Sequence, residues 1–314
     1  MPLTSFCGVN LPQIKLEQLQ IQINSLDKDA HQSLYFLYSE FLIRASRNSS
    51  YRDVLNKANI TTIDGKGLEW TNQALLNHKT VQNVKKNQQL ILVKKLFNSL
   101  INIFSGIWVI LLNQKLRETN NQVILGRDFV YYLFNQADLK RYKVAVIGGN
   151  QGLQQNLQHK FPNAEFKIWQ IDSNSNLMRD ISVNNYAQDF NSRHSFLNQD
   201  NLFIEFPELV SSIDFLGSEA WDYILITIGG ASGKQEFLCN AIQNNKQIQY
   251  RLIAGVGAAL DHLGGNNNQK QTPKIFEKLG LEWVFRITTN PKRAVRILDS
   301  VITLWWLTSK EQSE

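Results

Sequence analysis

Across 314 residues, 43% of them hydrophobic, 33 Lys and Arg stand against 27 Asp and Glu for a net charge of +6. A chain of this size can bury a sizeable core as one large α/β domain or two smaller ones. The mild basic excess suits an anionic ligand or an acidic membrane surface. With no Lys/Arg-rich arm carrying interleaved aromatics, nucleic acid is not an expected partner.

The first segment, MPLTSFCGVNLPQIKLEQ, has no basic stretch followed by an apolar one, so a cytoplasmic protein is expected. Cys7 and Cys239 lie far apart with no CxxC spacing, which argues for a reducing compartment and against a disulfide framework or zinc knuckle. The apolar spacing predicts a helix after Lys15, a strand near Ser33–Tyr38 and a helix from about Glu40 to Lys57. Asp27-Lys28-Asp29 is a literal DxD, a spacing that can hold a metal, but between helical segments it reads as a turn or cap. Asp64-Gly65-Lys66-Gly67 is a turn signal carrying a carboxylate, and Asp-Gly alone needs no further meaning than a turn.

Residues 75–122 differ in character. Lysine pairs at 85–86 and 94–95 lead into an apolar run over 96–112, followed by Lys115 and Arg117. The run is shorter than the about 20 residues a comfortable membrane span needs. Lys94, Asn98, Asn102 and Ser105 form a polar stripe, which fits a helix lying in a bilayer interface and fits equally a buried helix or an oligomer contact.

From Gly126 strands and helices alternate. A helix runs through GRDFVYYLFNQADLKR, then a strand over Lys143–Ile147, a loop over Gly148–Gly152, a helix over Leu153–Phe161 and a strand over Phe166–Ile171 ending at Asp172. Glycines after a strand with an acidic residue some 20 positions on resemble a dinucleotide fingerprint, in the order GGxxG rather than GxGxxG. A nicotinamide-dependent oxidoreductase is therefore one alternative. The other reading of those glycines is helix packing.

Two apolar, β-branched runs, Tyr223–Ile228 and Leu252–Val256, end in glycines, as strands buried on both faces of a parallel sheet do. Ligands of such sheets bind beyond the carboxyl ends of the strands. The loop Gly229–Glu236 would place backbone N–H groups and a helix start beside Lys234, an arrangement suited to a diphosphate. Asn290-Pro291 is a good helix start, followed by Lys292, Arg293 and Arg296 and then by Ile302, Leu304, Trp305, Trp306 and Leu307. Basic residues ahead of paired tryptophans suit either an interfacial contact or burial. His262, beside Asp261, is read as a packing or hydrogen-bonding residue, and with no cluster at ligand spacing no metal is expected.

In order, Asp64-Gly65-Lys66-Gly67, Gly126-Arg127-Asp128, KVAVIGG with Phe161-Pro162, Gly230 through Lys234-Gln235-Glu236, Gly255-Val256-Gly257, Asp261, Gly264, Pro273, the run Gly280–Arg286 and Pro291-Lys292-Arg293 with Arg296 resemble the motif series of the WecG/TagA/CpsF glycosyltransferase family. The resemblance extends over nearly the whole chain. It implies one Rossmann-like α/β domain over 1–314, its mostly parallel sheet covered by helices on both faces, with 75–122 as an apolar insert and 290–314 as an amphipathic C-terminal helix and tail. It also implies inverting, metal-independent transfer of an N-acetylmannosamine-type sugar from UDP to a polyprenyl-diphosphate-linked GlcNAc, without a cofactor, at the inner face of the plasma membrane during cell-surface polymer synthesis. Asp64 would be the base and Gln235 a donor-sugar contact. Tyr38, Gly65, Arg127, Gly230, Lys234, Glu236, Gly257, Asp261, Arg286, Arg293 and Arg296 would complete the substrate site. Where the family has T-x-N-x-E, this chain has Phe36-Leu37-Tyr38-Ser39-Glu40, and the family's RAP is Gln271-Thr272-Pro273 here. The aromatic replacements leave room for a further alternative, an inactive member that binds sugar nucleotides as a scaffold.

Overall fold

The computed structural model describes residues 4–11, 14–65, 68, 69, 71, 124–149, 151–171, 178–180, 213–228, 233–260, 263, 273, 285, 288, 300, 302–304, 306–308 and 310. The strands are β1 (Thr4–Phe6), β2 (Val9–Leu11), β3 (Gln32–Leu37), β4 (Ile60–Ile63), β5 (Lys143–Ile147), β6 (Glu165–Ile171), β7 (Met178–Asp180), β8 (Ala220–Ile226) and β9 (Gln249–Gly255). The helices are α1 (Leu16–Asn24), α2 (Ser39–Arg47), α3 (Ser49–Asn56), α4 (Gly126–Lys140), α5 (Gln151–Lys160) and α6 (Lys234–Asn244), with 3-10 turns at Asp214–Ser218 and Gly257–Leu260.

β1 and β2 form a small antiparallel hairpin, and the other strands build one sheet in the order β4-β3-β9-β8-β5-β6-β7. All neighbours in it are parallel except β7, which runs antiparallel on β6. The expected α/β class with a mostly parallel sheet is therefore the observed one. Side-chain alternation divides the core into two layers. Tyr35, Leu37, Ile63, Ala145, Ile147, Ile224, Ile226 and Ile253 pack with α2, α3, α6 and the hairpin. Leu34, Phe36, Ile60, Val144, Val146, Tyr223, Leu225 and Leu252 pack with α1, α4 and α5.

The connection β8–α6–β9 crosses one face, while β5–α5–β6 crosses the other and runs the opposite way along the sheet. The adjacent carboxyl ends of β8 and β5 therefore flank the crevice where parallel sheets of this kind receive ligands.

Two expected boundaries change. Where periodicity predicts one helix from Glu40 to Lys57, Asn48 leaves helical backbone and its side chain accepts from Tyr51 N at 2.8 Å, ending α2 and capping α3. The loop expected over Gly148–Gly152 is shorter, because α5 already begins at Gln151. Asp27 lies at a turn, its carbonyl accepting from Ala30 N at 3.2 Å. The segment 75–122 and Asp172 lie outside the described residues. Among the described residues, no helix is long and apolar enough to cross a membrane.

Candidate active site

The carboxyl ends of five neighbouring parallel strands line up along one edge of the sheet. In spatial order they carry Asp64 and Gly65 after β4, Tyr38 after β3, Val256 and Gly257 after β9, Thr227 after β8 and Gly148 after β5. The edge is stitched together beyond the regular ladders. Asp64 N donates to Leu37 O at 2.7 Å, Val256 N to Ile226 O at 2.9 Å and Thr227 N to Ile147 O at 2.8 Å.

At the β4 end, Asp64 leads the chain off the sheet, and Ile124 N donates back to Ile63 O at 2.9 Å, seating the start of α4 beside it. A Cβ placed on Gly126 would stand 3.5 Å from Asp64 Oδ2 and 3.6 Å from the Phe36 ring. The carboxylate therefore lies against the first turn of α4, where the helix dipole favours negative charge. Arg127, in the same turn, donates through Nε to Asp128 Oδ1 at 3.1 Å. Phe36 is buried with its ring centroid 5.7 Å from that of Phe129, and the Tyr38 ring lies tilted against Phe41 with centroids 4.3 Å apart. The wall beside Asp64 is thus aromatic.

The other half of the edge is built around the start of α6. Gly233 adopts φ 79°, a left-handed conformation that glycine accepts without strain. A side chain there would also stand 2.6 Å from Arg44 Nη1. Arg44, reaching over from α2, has its guanidinium 5.2 Å from the Tyr51 ring centroid. Burial pushes the Lys234 ammonium below its ordinary value, so the site holds this cation in a partly dry setting. The helix start, Lys234 and Arg44 together make this end electropositive.

Gln235 and Glu236 are buried, at 6% and 2% exposure. Gln235 Oε1 accepts from Gly257 N at 2.6 Å, and its Nε2 donates to Glu236 Oε1 at 3.1 Å. Gly255 is what admits that carboxamide, since a Cβ there would stand 2.6 Å from Gln235 Nε2. Thr227 Oγ1 donates to Gly257 O at 2.6 Å, so both backbone groups of Gly257 are engaged. The Glu236 carboxyl, hydrogen-bonded by Tyr51, is pushed above its ordinary value chiefly by burial, against the pull of Arg44.

The glycines after β5 have a packing explanation. A Cβ on Gly148, which has φ 99°, would stand 2.8 Å from Thr227 O, and one on Gly149 would lie 2.7 Å from Leu153 and 2.9 Å from Ile168. They let strand ends and helix close up, which is the packing reading of the fingerprint-like sequence.

Of the expected site residues, the edge brings together Asp64, Gly65, Tyr38, Lys234, Gln235, Glu236 and Gly257, with Arg127 in the helix that starts beside Asp64. Gly230, Asp261, Arg286, Arg293 and Arg296 lie outside the described residues. Two participants went unnoticed in the sequence. Arg44 gives no local signal, because its partner Gly233 is remote in the chain. Thr227 follows β8 directly, and a polar residue closing an apolar strand just before a glycine loop was a usable sign.

Near the C-terminus the described positions are helical, with Leu304 and Leu307 packed in the core and Ile302 and Trp306 exposed at 62% and 57%. Thr308 Oγ1 donates to Leu304 O at 2.7 Å, and Lys310 Nζ lies 6.0 Å from the Trp306 ring centroid. Burial and exposure thus divide the aromatic tail between them. Residues 191–314 match the model of the Glycosyl transferase WecG/TagA/CpsF family, a stretch containing β8, α6, β9 and this tail.

Proposed function

We propose, from the match of residues 191–314 to the WecG/TagA/CpsF glycosyltransferase family, that the protein transfers an N-acetylmannosamine-type sugar from UDP, with inversion, to a polyprenyl-diphosphate-linked GlcNAc. The observation that carries this reading is the shared edge. One carboxylate, Asp64, stands at the β4 end of a row whose middle, beside β3 and β9, offers a helix N-terminus, Lys234 and Arg44.

Inversion needs a base on one side of the anomeric carbon and a stabilised leaving group on the other. In the proposed step the acceptor hydroxyl oxygen bonds to C1 and gives its proton to Asp64, while the bond from C1 to the β-phosphate oxygen breaks. The new charge on UDP is met by Lys234, Arg44 and the N–H groups at the start of α6. The resemblance to the family supplies Arg286, Arg293 and Arg296 as further cations. Tyr38, half-buried, replaces a polar contact to the donor with an aromatic ring that favours the apolar face of a sugar, while Phe36 is buried in the core.

The exposed Ile302 and Trp306, with Lys310 nearby, support a peripheral contact at a membrane inner face, where a lipid-linked acceptor would be met. The apolar segment 96–112 is proposed as a second contact.

A panel of UDP-sugars with a short-chain lipid-diphosphate GlcNAc acceptor tests the reading. Expected is transfer from a UDP-N-acetylmannosamine-type donor with inverted anomeric configuration. Hydrolysis alone, retention, or thermal stabilisation by NAD and not by UDP would remove it.

A further inference from the structure

Glu236 is too deeply set to meet a ligand directly, at 2% exposure, yet it lies one hydrogen bond from a residue that holds the active edge. A carboxamide can present its oxygen and nitrogen in either order, and what surrounds it decides which. Around Gln235 the order has consequences. Gly257 N needs an acceptor at 2.6 Å, which only the oxygen supplies. With the oxygen there, the nitrogen faces Glu236 Oε1 at 3.1 Å, and a carboxylate that takes an N–H from it selects this order over the reverse. Tyr51 hydrogen-bonds the Glu236 carboxyl, and the Tyr35 hydroxyl donates to the Glu236 carbonyl at 3.4 Å, so helix α3 and strand β3 both fix the residue. From the other side Thr227 takes the Gly257 carbonyl.

We propose that Glu236 is a positioning residue: by holding the Gln235 carboxamide in one orientation it clamps the Gly257 turn, and with it the end of β9, in the form that receives the donor. The kinetic part of this rests on the glycosyltransferase reading. The clamp itself does not, and can be observed without substrate.

The test is amide exchange at Gly257 in the full-length protein, followed beside donor kinetics. Replacing Glu236 by Met removes the acceptor at similar length. Glu236→Ser, polar but too short to reach Gln235, serves the same arm should the Met variant not fold. Either is expected to speed exchange at Gly257 by about tenfold, the loss of one buried hydrogen bond, while the strand amides of β5 keep their protection. Q235M should do the same, and the double variant no more than either alone, because the two side chains act in series. E236Q keeps an acceptor oxygen and should recover most of what E236M loses.

In kinetics, E236M should raise the donor KM by about tenfold with a smaller change in kcat, since donor binding must then order the turn. Unchanged Gly257 exchange in E236M or E236S overturns the proposal. So does exchange that rises equally in β5, which would make Glu236 a general stability residue. If no UDP-sugar is turned over by the unaltered protein, the reading of function falls while the exchange result still decides the clamp.

Discussion

The two ends of the parallel strands are built on opposite plans. At the amino end, charge is met with charge. Lys143 Nζ lies 3.0 Å from Glu219 Oε2, Lys167 pairs with the other oxygen of Glu219, and Arg251 Nη2 lies 3.1 Å from Asp222 Oδ1. Arg251 also rests over the Tyr142 ring at 4.6 Å. At the carboxyl end, glycines bring backbones into contact, a carboxylate sits against a helix start, and Arg44 and Lys234 meet at the start of α6. The first plan secures strand ends. The second gathers glycines, a carboxylate and two cations along one edge. The pH responses separate the plans as well, since Glu219 is held below its ordinary value by the hydrogen bond from Lys167 first, and Glu236 is pushed above it by burial.

That contrast can be broken most severely at Asp64. Asp64→Asn is expected to lower transfer by about 10²–10⁴-fold while UDP binding, measured by calorimetry, survives. Unchanged turnover would take Asp64 out of the mechanism. Next in size is Gly255→Ala, whose methyl would meet the Gln235 carboxamide. Displacing that side chain should destabilise the fold by about 1–3 kcal/mol in urea unfolding and weaken donor use in step. Arg44→Met should then weaken UDP binding by about tenfold with little loss of stability, because its aliphatic length can still cover Tyr51.

The smaller effects lie in pH. For Glu236 the folded protein holds a proton more tightly than the unfolded chain. The stability this gives is whole below the ordinary value of 4.5 and is lost as pH rises through the raised folded value. Melting temperatures of E236Q should therefore gain on those of the unaltered protein as pH is raised across that window. Glu219 carries the reverse sign. Its contribution is present above 4.5 and lost as pH falls through its lowered folded value, so E219Q should cost stability at neutral pH and nothing in strong acid. Solvent screens this corner, and the cost should be at most about 1 kcal/mol, with turnover unchanged.

The same two plans explain what the sequence disclosed. Parallel strands are buried on both faces, so KVAVI and the apolar parts of β8 and β9 stand out as runs. The runs were read from Tyr223 and Leu252, whereas the strands start at Ala220 and Gln249. Asp222 and Arg251 lie in those first residues, and a charge whose partner is on the neighbouring strand looks like a loop residue until the strands are side by side. The break at Asn48 was visible in principle, as an Asn-Ser-Ser sequence inside an amphipathic pattern. Asp64 read by itself as a turn residue, and the resemblance to the family alone marked it as a candidate base. The Arg44–Tyr51–Glu236 corner was not legible, since it joins α2, α3 and α6 and no spacing within any one of them announces the others.

The helical stretch near the C-terminus serves the body and the exterior at once. Leu304 and Leu307 fill the same apolar layer as Leu42, Tyr51 and Ile242, while Trp306, between them in sequence, faces outward. A chain cut short before Leu304 would open a hole in its own interior as well as lose an aromatic foot. If a surface takes hold of Trp306, as proposed above, it does so through a stretch packed into the same core as the sheet, which would set the height and tilt of the row of strand ends above it.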